Sequence, residues 1–446
     1  MSLSVLHVPF TWHPDPCGGT EVYVQSLCQS LHDLGIQNHI AAPSSESSTT
    51  HHPLHPVSRF ATCPNLTQSM MFGHGDPVAS ANFAQVLDRV NPSLVHFHAF
   101  SPAVSIRCLN ECVSRGIPSL ATYHTPTTSC MRGTLMRWGD TPCDGRLDPS
   151  LCAPCFLNQH GLPRPFARAA TVLSRFTRPL AALPGLPNAP RAVLQAHSLC
   201  SQRLDATRAW WSGQKRVIAL CAWTQKLLQL NAVPDSKIVL VRHGLPFAPE
   251  APTPALSVLN SAKGKFRPVR LAFLGRLDPT KGIDLILDAL ALRPSLSVTL
   301  DLFTVSQPGS SAAARQLHSQ ASADTRMQFR TPVSPSEVVA TLRQYNALLV
   351  PSRWMETGPL VVLEAFAAGI PVIGSRLGGI AEWVTHEHNG LLVDHMTPEA
   401  WAQSLARLVD EHSLLPRLTN EVKSPRSMRE VANELMPVYE QVAALS

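Results

Sequence analysis

Residues 347–374 of this 446-residue chain read ALLVPSRWMETGPLVVLEAFAAGIPVIG. They contain an apolar run at Ala347–Val350, then a helical stretch at Pro359–Ala368, and then a second apolar run at Val372–Gly374. Short, continuous apolar runs separated by a helix are typical of buried strands in a parallel sheet, where crossover helices cover the faces. The stretch therefore predicts a strand–helix–strand unit of an α/β domain.

The same alternation recurs in both halves of the chain. Further strand-like runs lie at Ser4–Phe10, Leu94–Phe97, Ser119–Tyr123, Val269–Leu274 and Val298–Phe303. Because the chain is about three times as long as one typical domain, we predict two doubly wound α/β domains. The predicted boundaries are an N-terminal domain at 1–245, a Pro- and Ser-rich linker at 246–265, a C-terminal domain at 266–425 and a final helix at 426–446, which we expect to pack back on the N-terminal domain.

The composition excludes several classes of protein. The chain is 44% hydrophobic and 15% charged, with a mean hydropathy of +0.02. No apolar stretch reaches the roughly 18 residues that cross a bilayer, and the N-terminus has neither the basic nor the apolar region of a secretory signal. We therefore predict a cytoplasmic protein whose 11 cysteines are thiols or metal ligands rather than a disulfide scaffold.

The net charge of +6 belongs to the first half of the chain. Residues 1–250 hold 19 Lys and Arg against 13 Asp and Glu, whereas residues 251–446 hold 18 of each. Between Asp148 and Asp205 there is no acidic residue. Such a stretch attracts anionic lipids or a phosphate-bearing substrate, and a solvated face without a partner is the alternative. No nucleic-acid-binding motif accompanies it, so we expect no nucleic acid partner.

An arginine-bearing helix is predicted within this basic stretch, at Arg164–Leu183. It has apolar residues around the arginines, which is typical of a helix at a membrane interface. Core packing with a basic outer edge explains the pattern equally well. The sequence thus leaves peripheral membrane contact as one of two interpretations.

Two cations follow the first strand of the C-terminal domain. Residues 273–282 read FLGRLDPTKG and place Arg276 and Lys281 between a strand and a helix. An arginine fork and a lysine point charge together suit a pyrophosphate, although surface charges on a loop are the alternative.

The start of the next helix is a predicted anion site. Pro359 suits the first helical position, where its missing N–H costs nothing. The N–H groups of Leu360 and Val361, after Gly358, then point at a bound phosphate.

Two carboxylates flank that helix start. Glu356 lies just before the helix and Glu364 lies on it, and helical side chains lean back toward the N-terminus. Carboxylates repel an anion, so we predict that they accept hydrogen bonds from sugar and ribose hydroxyls. For Glu364 the alternative is an acidic residue that favours the helix dipole.

The N-terminal domain offers a glycine turn and a histidine. The sequence PCGGTE places Gly18 and Gly19 between the first strand and a helix, where backbone can approach a ligand closely. His124 ends the strand Ser119–Tyr123 and is a candidate active-site residue, with a structural histidine as the alternative. His96 and His98 end another strand, and we expect structural roles for them, with a place in the lining of the cleft as the alternative for His98.

Four cysteines form the most unusual feature of the sequence. Cys130, Cys143, Cys152 and Cys155 lie in a Gly-, Pro- and Arg-rich insert at 125–162. Cysteines that close together, with one Cys-x2-Cys pair, suit a tetrahedral thiolate site. We predict structural zinc, with an iron–sulfur cluster as a second choice, and reduced thiols or an adventitious disulfide as the alternative.

Four segments together resemble a known family. GRLDPTKG, ETGPLVVLEAFAAGIPVIGS, LGGIAEWV and NGLLV, running from Phe273 to Val393, are similar to the nucleotide-sugar domain of retaining glycosyltransferases of family four. The resemblance implies the GT-B fold, with two Rossmann-like domains facing across a cleft. Many relatives have Phe-Gly where this chain has Gly358-Pro359, so the amide pattern around the phosphates is expected to differ.

The resemblance also implies roles for single residues. It assigns the donor diphosphate to Arg276 and Lys281, the transferred sugar to Glu356 and the ribose to Glu364. In the N-terminal domain it places Gly18 and Gly19 near the donor phosphate and the acceptor, and His124 near the transferred sugar.

These observations predict a glycosyltransferase. It would move a sugar from a nucleotide-diphosphate donor to a hydroxyl of a glycan or lipid-linked acceptor, with retention, in polysaccharide, lipopolysaccharide or glycolipid synthesis. Two fixed cations and the lack of a DxD-like motif predict that no catalytic metal is needed. The alternative is a non-catalytic or regulatory glycan-binding protein of the same fold, with a metal or redox cysteine cluster.

Overall fold

The computed structural model describes residues 3–15, 18–52, 54–177, 188–246, 268–305 and 312–445. The chain divides into two compact units. The first unit comprises residues 1–242 and 428–446, and the second comprises residues 243–427. The predicted linker 246–265 lies outside the described residues apart from Pro246.

The first unit is built around one large sheet of eight strands, and its seventh and eighth strands form a separate antiparallel pair. Its strands are β1 (Ser4–Val8), β2 (Gln37–Ser44), β3 (Ser48–Thr50), β4 (Val57–Ala61), β5 (Leu94–Phe97), β6 (Ser119–Tyr123), β7 (Met136–Arg137), β8 (Thr141–Pro142), β9 (Arg216–Ala219) and β10 (Ile238–Leu240). Its helices are α1 (Gly19–His32), α2 (Pro77–Val90), α3 (Ile106–Ser114), α4 (Pro149–Gln159), α5 (Arg164–Leu173), α6 (Asn188–Gly213), α7 (Ala222–Leu230) and the last helix of the chain, Met428–Ala443.

The strand order of this sheet creates a place for a ligand. The order is β10-β9-β6-β5-β1-β2-β4-β3, and the pairs are parallel apart from β3 with β4. Chain order therefore runs outward in both directions from the β1/β5 pair. The loops leaving the carboxyl ends of these two strands diverge, and doubly wound sheets bind ligands at such a switch point.

The C-terminal helix belongs to the first unit. Its apolar face, including Val431, Leu435 and Tyr439, shares one core with Val5 of β1 and Leu27 of α1. The side chains repeat at helical spacing, so one stripe of the helix is buried.

The second unit repeats the plan in a smaller sheet. Its strands are β11 (Val269–Arg276), β12 (Val298–Val305), β13 (Met327–Arg330), β14 (Ala347–Val350), β15 (Val372–Ser375) and β16 (Gly390–Val393). Its helices are α8 (Ile283–Ala291), α9 (Ala312–Ala323), α10 (Val338–Leu342), α11 (Leu360–Ala367), α12 (Ile380–Trp383), α13 (Pro398–Asp410) and α14 (Leu414–Asn420), which makes the C-terminal helix α15.

All pairs of this second sheet are parallel, in the order β13-β12-β11-β14-β15-β16. Helices α8, α9, α13 and α14 bury their apolar side chains in a core on one face, and α10, α11 and α12 do so in a second core. The predicted doubly wound α/β architecture is thus confirmed in both units. The switch point of this sheet lies between β11 and β14.

Candidate functional site

Lys281 and Glu356 are brought together by the two strands of the second switch point. Lys281 lies in the turn after β11, and Glu356 lies in the loop after β14. The Lys281 Nζ is 2.7 Å from the Glu356 Oε1. Trp354 Nε1–H and the Ser352 hydroxyl donate to the same oxygen at 2.7 and 2.9 Å. Glu356 is only 7% exposed, so three donors hold a nearly desolvated carboxylate in one place.

The Lys281 turn is fastened to the loop that carries Glu356. The backbone N–H of Arg353 donates to the Thr280 carbonyl at 2.7 Å, and the Arg353 side chain forms an ion pair with Asp284. Gly282 has a φ of +71°, and a Cβ there would lie 1.9 Å from the Pro351 carbonyl oxygen. Only glycine allows this approach, so the sequence KG at the end of the turn sets the position of the cation.

A glycine pair, Gly378 and Gly379, fixes the backbone of Glu356. The N–H of Gly379 donates to the Glu356 carbonyl at 2.6 Å. Gly378 has a φ of +47°, and a Cβ there would lie 2.7 Å from the same oxygen. The sequence showed the Gly-Gly turn but not its target, because the contact spans about twenty residues and two strands of the sheet.

The helix start differs from the prediction. Helix α11 begins at Leu360, and Pro359 is the N-cap with an extended ψ of 114° instead of the first helical residue. The amides of Leu360 and Val361 still lie in the first turn, where helix geometry provides no intrahelical acceptor. Gly358 has a packing reason of its own, because a Cβ there would lie 2.3 Å from the His243 ring.

Glu364 lies one turn into α11 and is partly buried. Burial raises the pKa of its carboxyl group to about 7. Within the part of the chain that the structure describes, it forms no ion pair. A carboxyl group in such a place gains from hydroxyl donors, which stabilise its charged form.

Arg276 is less constrained than Lys281. It is the last residue of β11 and its side chain is exposed. Its guanidinium makes no ion pair with any described residue. The structure therefore brings Lys281 into contact with Glu356, whereas Arg276, at the end of β11, forms no ion pair with Glu356.

The Gly18-Gly19 turn begins α1. Gly18 is the N-cap, and its N–H donates to Glu21 Oε2 at 2.8 Å. A Cβ on Gly19 would meet nothing within 4 Å, and one on Gly18 would meet only the Glu21 carboxylate at 3.5 Å. Packing among the described residues therefore does not require glycine at either position.

His124 follows β6 and is buried, with 6% of its surface exposed. Its Nε2 lies 3.0 Å from Nδ1 of His98, and its ring meets Tyr23 edge-on with the centroids 4.9 Å apart. The contact between His124 and His98 could not be read from the sequence, because strand order decides which strand ends are neighbours. The contact ties a residue that we expected to be structural to the candidate active-site histidine.

The four predicted metal-ligand cysteines line one small cavity. The N–H of Trp138 donates to Cys155 Sγ at 3.3 Å. The sulfur atoms of these cysteines are further apart than the ligands of one metal ion would be. Among the described residues, the only group of three or more candidate ligands within 4.8 Å of one another is a group of histidines. Four cysteine sulfurs suit a soft metal ion, but they are not arranged as a tetrahedral site in this structure.

A fifth cysteine contacts one of these four. Cys200 lies on α6, and its thiol hydrogen-bonds to Cys152, which lowers the pKa of Cys152. Spacing along the chain does not reveal Cys200 as a partner of Cys152, because the two lie 48 residues apart.

Comparison with known proteins decides the family. A family model described as glycosyl transferases group 1 matches residues 261–424, and a glycosyltransferase family 4 model matches residues 17–146. The chain carries a glycosyl transferases group 1 domain and a glycosyltransferase family 4 domain. The two matches cover the Lys281–Glu356 pair in one unit and the Gly18-Gly19 turn and His124 in the other.

Curated relatives of this glycosyltransferase match part of it. The D-inositol 3-phosphate glycosyltransferase of Corynebacterium glutamicum (strain R) is 36% identical over 147 residues, which are 32% of this chain and 35% of the relative. The enzyme of the same name from Rhodococcus jostii (strain RHA1) is 35% identical over 158 residues, 34% of this chain and 35% of the relative. The chain thus spans about a third of the length of these relatives.

Solved structures share the fold of the glycosyltransferase. Sucrose-phosphate synthase from Thermosynechococcus elongatus has a TM-score of 0.67 at 18% identity, with 100% of both chains covered. HepE of Anabaena, solved with UDP and glucose, has a TM-score of 0.63 at 14% identity, with 98% of this chain and 100% of that chain covered. These similarities confirm the predicted GT-B fold class.

The basic stretch of the glycosyltransferase exposes apolar side chains. Phe166 of α5 is 66% exposed and Phe176, just beyond that helix, is 77% exposed. Arg168 and Arg175 are exposed beside them. Among the described helices, none is both long and apolar enough to cross a membrane.

Proposed function

We propose that the chain transfers a sugar from a nucleotide-diphosphate donor to a hydroxyl of a glycan or lipid-linked acceptor and keeps the anomeric configuration. The Lys281–Glu356 ion pair carries this proposal, because it puts a cation and a desolvated carboxylate side by side at a switch point. Family membership supports it, and the solved relative HepE binds UDP-glucose.

The donor would divide the ion pair. A diphosphate oxygen competes with Glu356 for the Lys281 ammonium, since both are anions that accept from the same N–H groups. Once released, the Glu356 carboxylate accepts from a hydroxyl of the sugar. Lys281, Arg276 and the first amides of α11 then stabilise the charge that grows on the leaving diphosphate.

The remaining residues orient the substrates. Glu364 accepts from ribose hydroxyls, and the Gly18-Gly19 turn and His124 contact the donor and the transferred sugar. In the reaction, the bond from the anomeric carbon to the diphosphate oxygen breaks and a bond to the acceptor oxygen forms on the same face. The acceptor proton passes to the leaving phosphate oxygen, so no side-chain nucleophile and no catalytic metal is needed.

Product analysis tests the proposal. The chain is incubated with UDP-, GDP- and ADP-sugars and a set of hydroxyl acceptors, and the anomeric configuration of the product is read by NMR. We expect transfer from one nucleotide class with retention. An inverted product would contradict the mechanism, and tight donor binding without hydrolysis or transfer would favour a non-catalytic binding protein.

We also propose that the surface around α5 contacts an anionic membrane. Phe166 and Phe176 would enter the interface while Arg168 and Arg175 pair with lipid phosphates. The variant Phe166→Ser with Phe176→Ser should lose co-sedimentation with phosphatidylglycerol vesicles. Val113→Ser, at a 63% exposed site on α3, is the control and should keep it. Equal binding by both variants, or no binding by the unaltered chain, would contradict this proposal.

The cysteine cavity is proposed as a structural zinc or iron–sulfur site. Cys130, Cys143, Cys152 and Cys155 supply the thiolates, and hydrogen bonds from backbone N–H groups, such as that of Trp138, stabilise them. The metal would draw the sulfur atoms together and order the insert 125–162.

A further inference from the structure

Three histidines lie in or directly after neighbouring strands, β1, β5 and β6, around the first switch point. His7 lies in β1, His98 directly follows β5, and His124 directly follows β6. All three side chains are buried. His7 Nδ1 lies 3.1 Å from His98 Nε2, and His98 Nδ1 lies 3.0 Å from His124 Nε2. The rings therefore form an unbroken chain of hydrogen bonds that ends at the candidate active-site histidine.

Asn38 fixes the direction of the first hydrogen bond. Its Nδ2 donates to the carbonyl oxygens of Cys28 and Ile36, both at 3.1 Å. Both amide protons are thereby used, and a flipped amide would set its oxygen against two carbonyls. Asn38 Oδ1 therefore faces His7 Nε2, at 3.2 Å, as an acceptor. His7 must carry its proton on Nε2.

The donor and acceptor of each following hydrogen bond are then determined in turn. Burial lowers the pKa of His7 to about 3 and that of His98 well below its ordinary value, so both rings are neutral and hold a single N–H. With its proton on Nε2, His7 accepts at Nδ1, and His98 must donate from Nε2. His98 then accepts at Nδ1, and His124 must donate from Nε2.

A metal site is the competing explanation for the buried histidines. The ligand-capable atoms of His7, His96 and His98 lie within 4.8 Å of one another. However, each ring nitrogen of these residues has a hydrogen-bond partner. His96 is held by Tyr439 at 2.8 Å and Thr122 at 2.7 Å. A satisfied network explains the burial without an ion, and a metal would have to break it.

We propose that Asn38, His7 and His98 are positioning residues that fix the proton of His124 on Nε2. In the neutral ring of His124, Nδ1 is then a hydrogen-bond acceptor and not a donor. The role in catalysis depends on the proposed function of His124, whereas the tautomer does not. Asn38, His7 and His98 act only through the chain and are not catalytic residues.

The first test measures the tautomers in the unaltered chain and uses variants only to assign the signals. Long-range proton–nitrogen NMR of the full chain labelled at histidine nitrogen distinguishes the two neutral tautomers, with assignments from single His→Gln variants. We expect the Nε2–H form for His7, His98 and His124. An Nδ1–H form at any of the three would overturn the proposal. So would a stoichiometric metal whose removal by chelator changes these signals.

The second test compares His98→Gln with His98→Met. A glutamine side chain offers a donor and an acceptor in the order that the chain needs, whereas a thioether does not. We expect His98→Met to mix the two tautomers of His124 and to lower turnover about tenfold or more. His98→Gln should restore the Nε2–H form and most of the rate. An unchanged His124 tautomer in a folded His98→Met protein would overturn the proposal.

Two controls separate the possible failures. If His98→Met does not fold, His7→Met and His7→Gln repeat the comparison one ring further from His124, and the unaltered chain still gives the tautomers. If His124→Ala keeps full turnover while His98→Met mixes the tautomers, the proposed function of His124 fails and the fixed tautomer stands. If His124→Ala is inactive but His98→Met leaves rate and tautomer unchanged, the positioning role fails and the proposed function stands.

Discussion

The N–H of Gly379 donates to the carbonyl oxygen of Glu356 at 2.6 Å, while neighbouring Gly378 adopts a φ of +47°. The two residues thus hold the backbone of a carboxylate that contacts Lys281. The Gly-Gly turn after β15 therefore acts on the candidate site through Glu356.

Gly378→Ala should reduce turnover as well as stability. Its Cβ would lie 2.7 Å from the Glu356 carbonyl oxygen, so the Glu356 loop must move. Gly116→Ala is the matched control, because Gly116 also has a positive φ, of +67°, but open space around it. Gly116→Ala should lose about 1–2 kcal/mol of unfolding free energy from its positive φ alone, and Gly378→Ala should lose more, both measured by urea titration. Only Gly378→Ala should lose turnover, and equal rates in the two variants would contradict the positioning of Glu356.

Glu356→Gln should impair transfer far more than nucleotide affinity. The amide loses the charge that accepts from a sugar hydroxyl, so we expect the turnover rate to fall about 100-fold. Nucleoside diphosphate affinity should not fall and should instead rise, because the diphosphate no longer competes with a Glu356 carboxylate for the Lys281 ammonium. Glu399→Gln, at an exposed site of the same unit, is the control. A parallel fall in rate and affinity would show that Glu356 is structural.

Glu364 should make stability and nucleotide binding depend on pH. Its folded-state pKa of about 7 exceeds the ordinary value of 4.5, so the folded chain binds more protons than the unfolded chain between these values. Its contribution to the free energy of unfolding is therefore present at about pH 4.5 and is lost as the pH rises through about 7. Glu364→Gln should remove this change in urea titrations at several pH values.

Nucleotide affinity should change in the opposite direction. Ribose hydroxyls donate best to the charged carboxylate, so affinity should rise as the pH rises through about 7. The rise should vanish in Glu364→Gln, as measured by calorimetry. The same pH dependence in the variant would remove Glu364 from the ribose site.

The cysteine cavity should hold a metal in the purified chain. We expect stoichiometric zinc, or iron with sulfide, by elemental analysis, and its loss in Cys130→Ser. Cys63→Ser, away from the cavity, should keep it. A folded, active chain without metal would contradict the proposed site, and chelation should lower the unfolding temperature only if the metal orders the insert.

The sequence was sufficient for the architecture because periodicity is local. Apolar runs such as Ala347–Val350 indicate buried strands, and the helical segments between these runs indicate that the strands pair in a parallel sheet. The predicted start of α11 was wrong by one residue. Proline is acceptable at both the N-cap and the first helical position, and only the backbone torsion angles of Pro359 show that it is the N-cap.

The site was only partly predictable because its contacts are long-range. The sequence singled out Lys281, Glu356 and His124, but it could not show the Lys281–Glu356 ion pair. It also could not show that His98 touches His124 or that Cys200 touches Cys152. These contacts depend on strand order and loop packing, which no spacing along the chain encodes.

The central claim is that Lys281 binds the diphosphate of the donor. The most direct measurement compares the affinities of a nucleoside diphosphate and the matching monophosphate for the unaltered chain, for Lys281→Met and for Lys423→Met, an exposed control in the same unit. We predict that the diphosphate binds the unaltered chain and the control at least about tenfold more tightly than the monophosphate, and that Lys281→Met removes most of this difference without weakening the monophosphate. An unchanged preference for the diphosphate in Lys281→Met would contradict the claim.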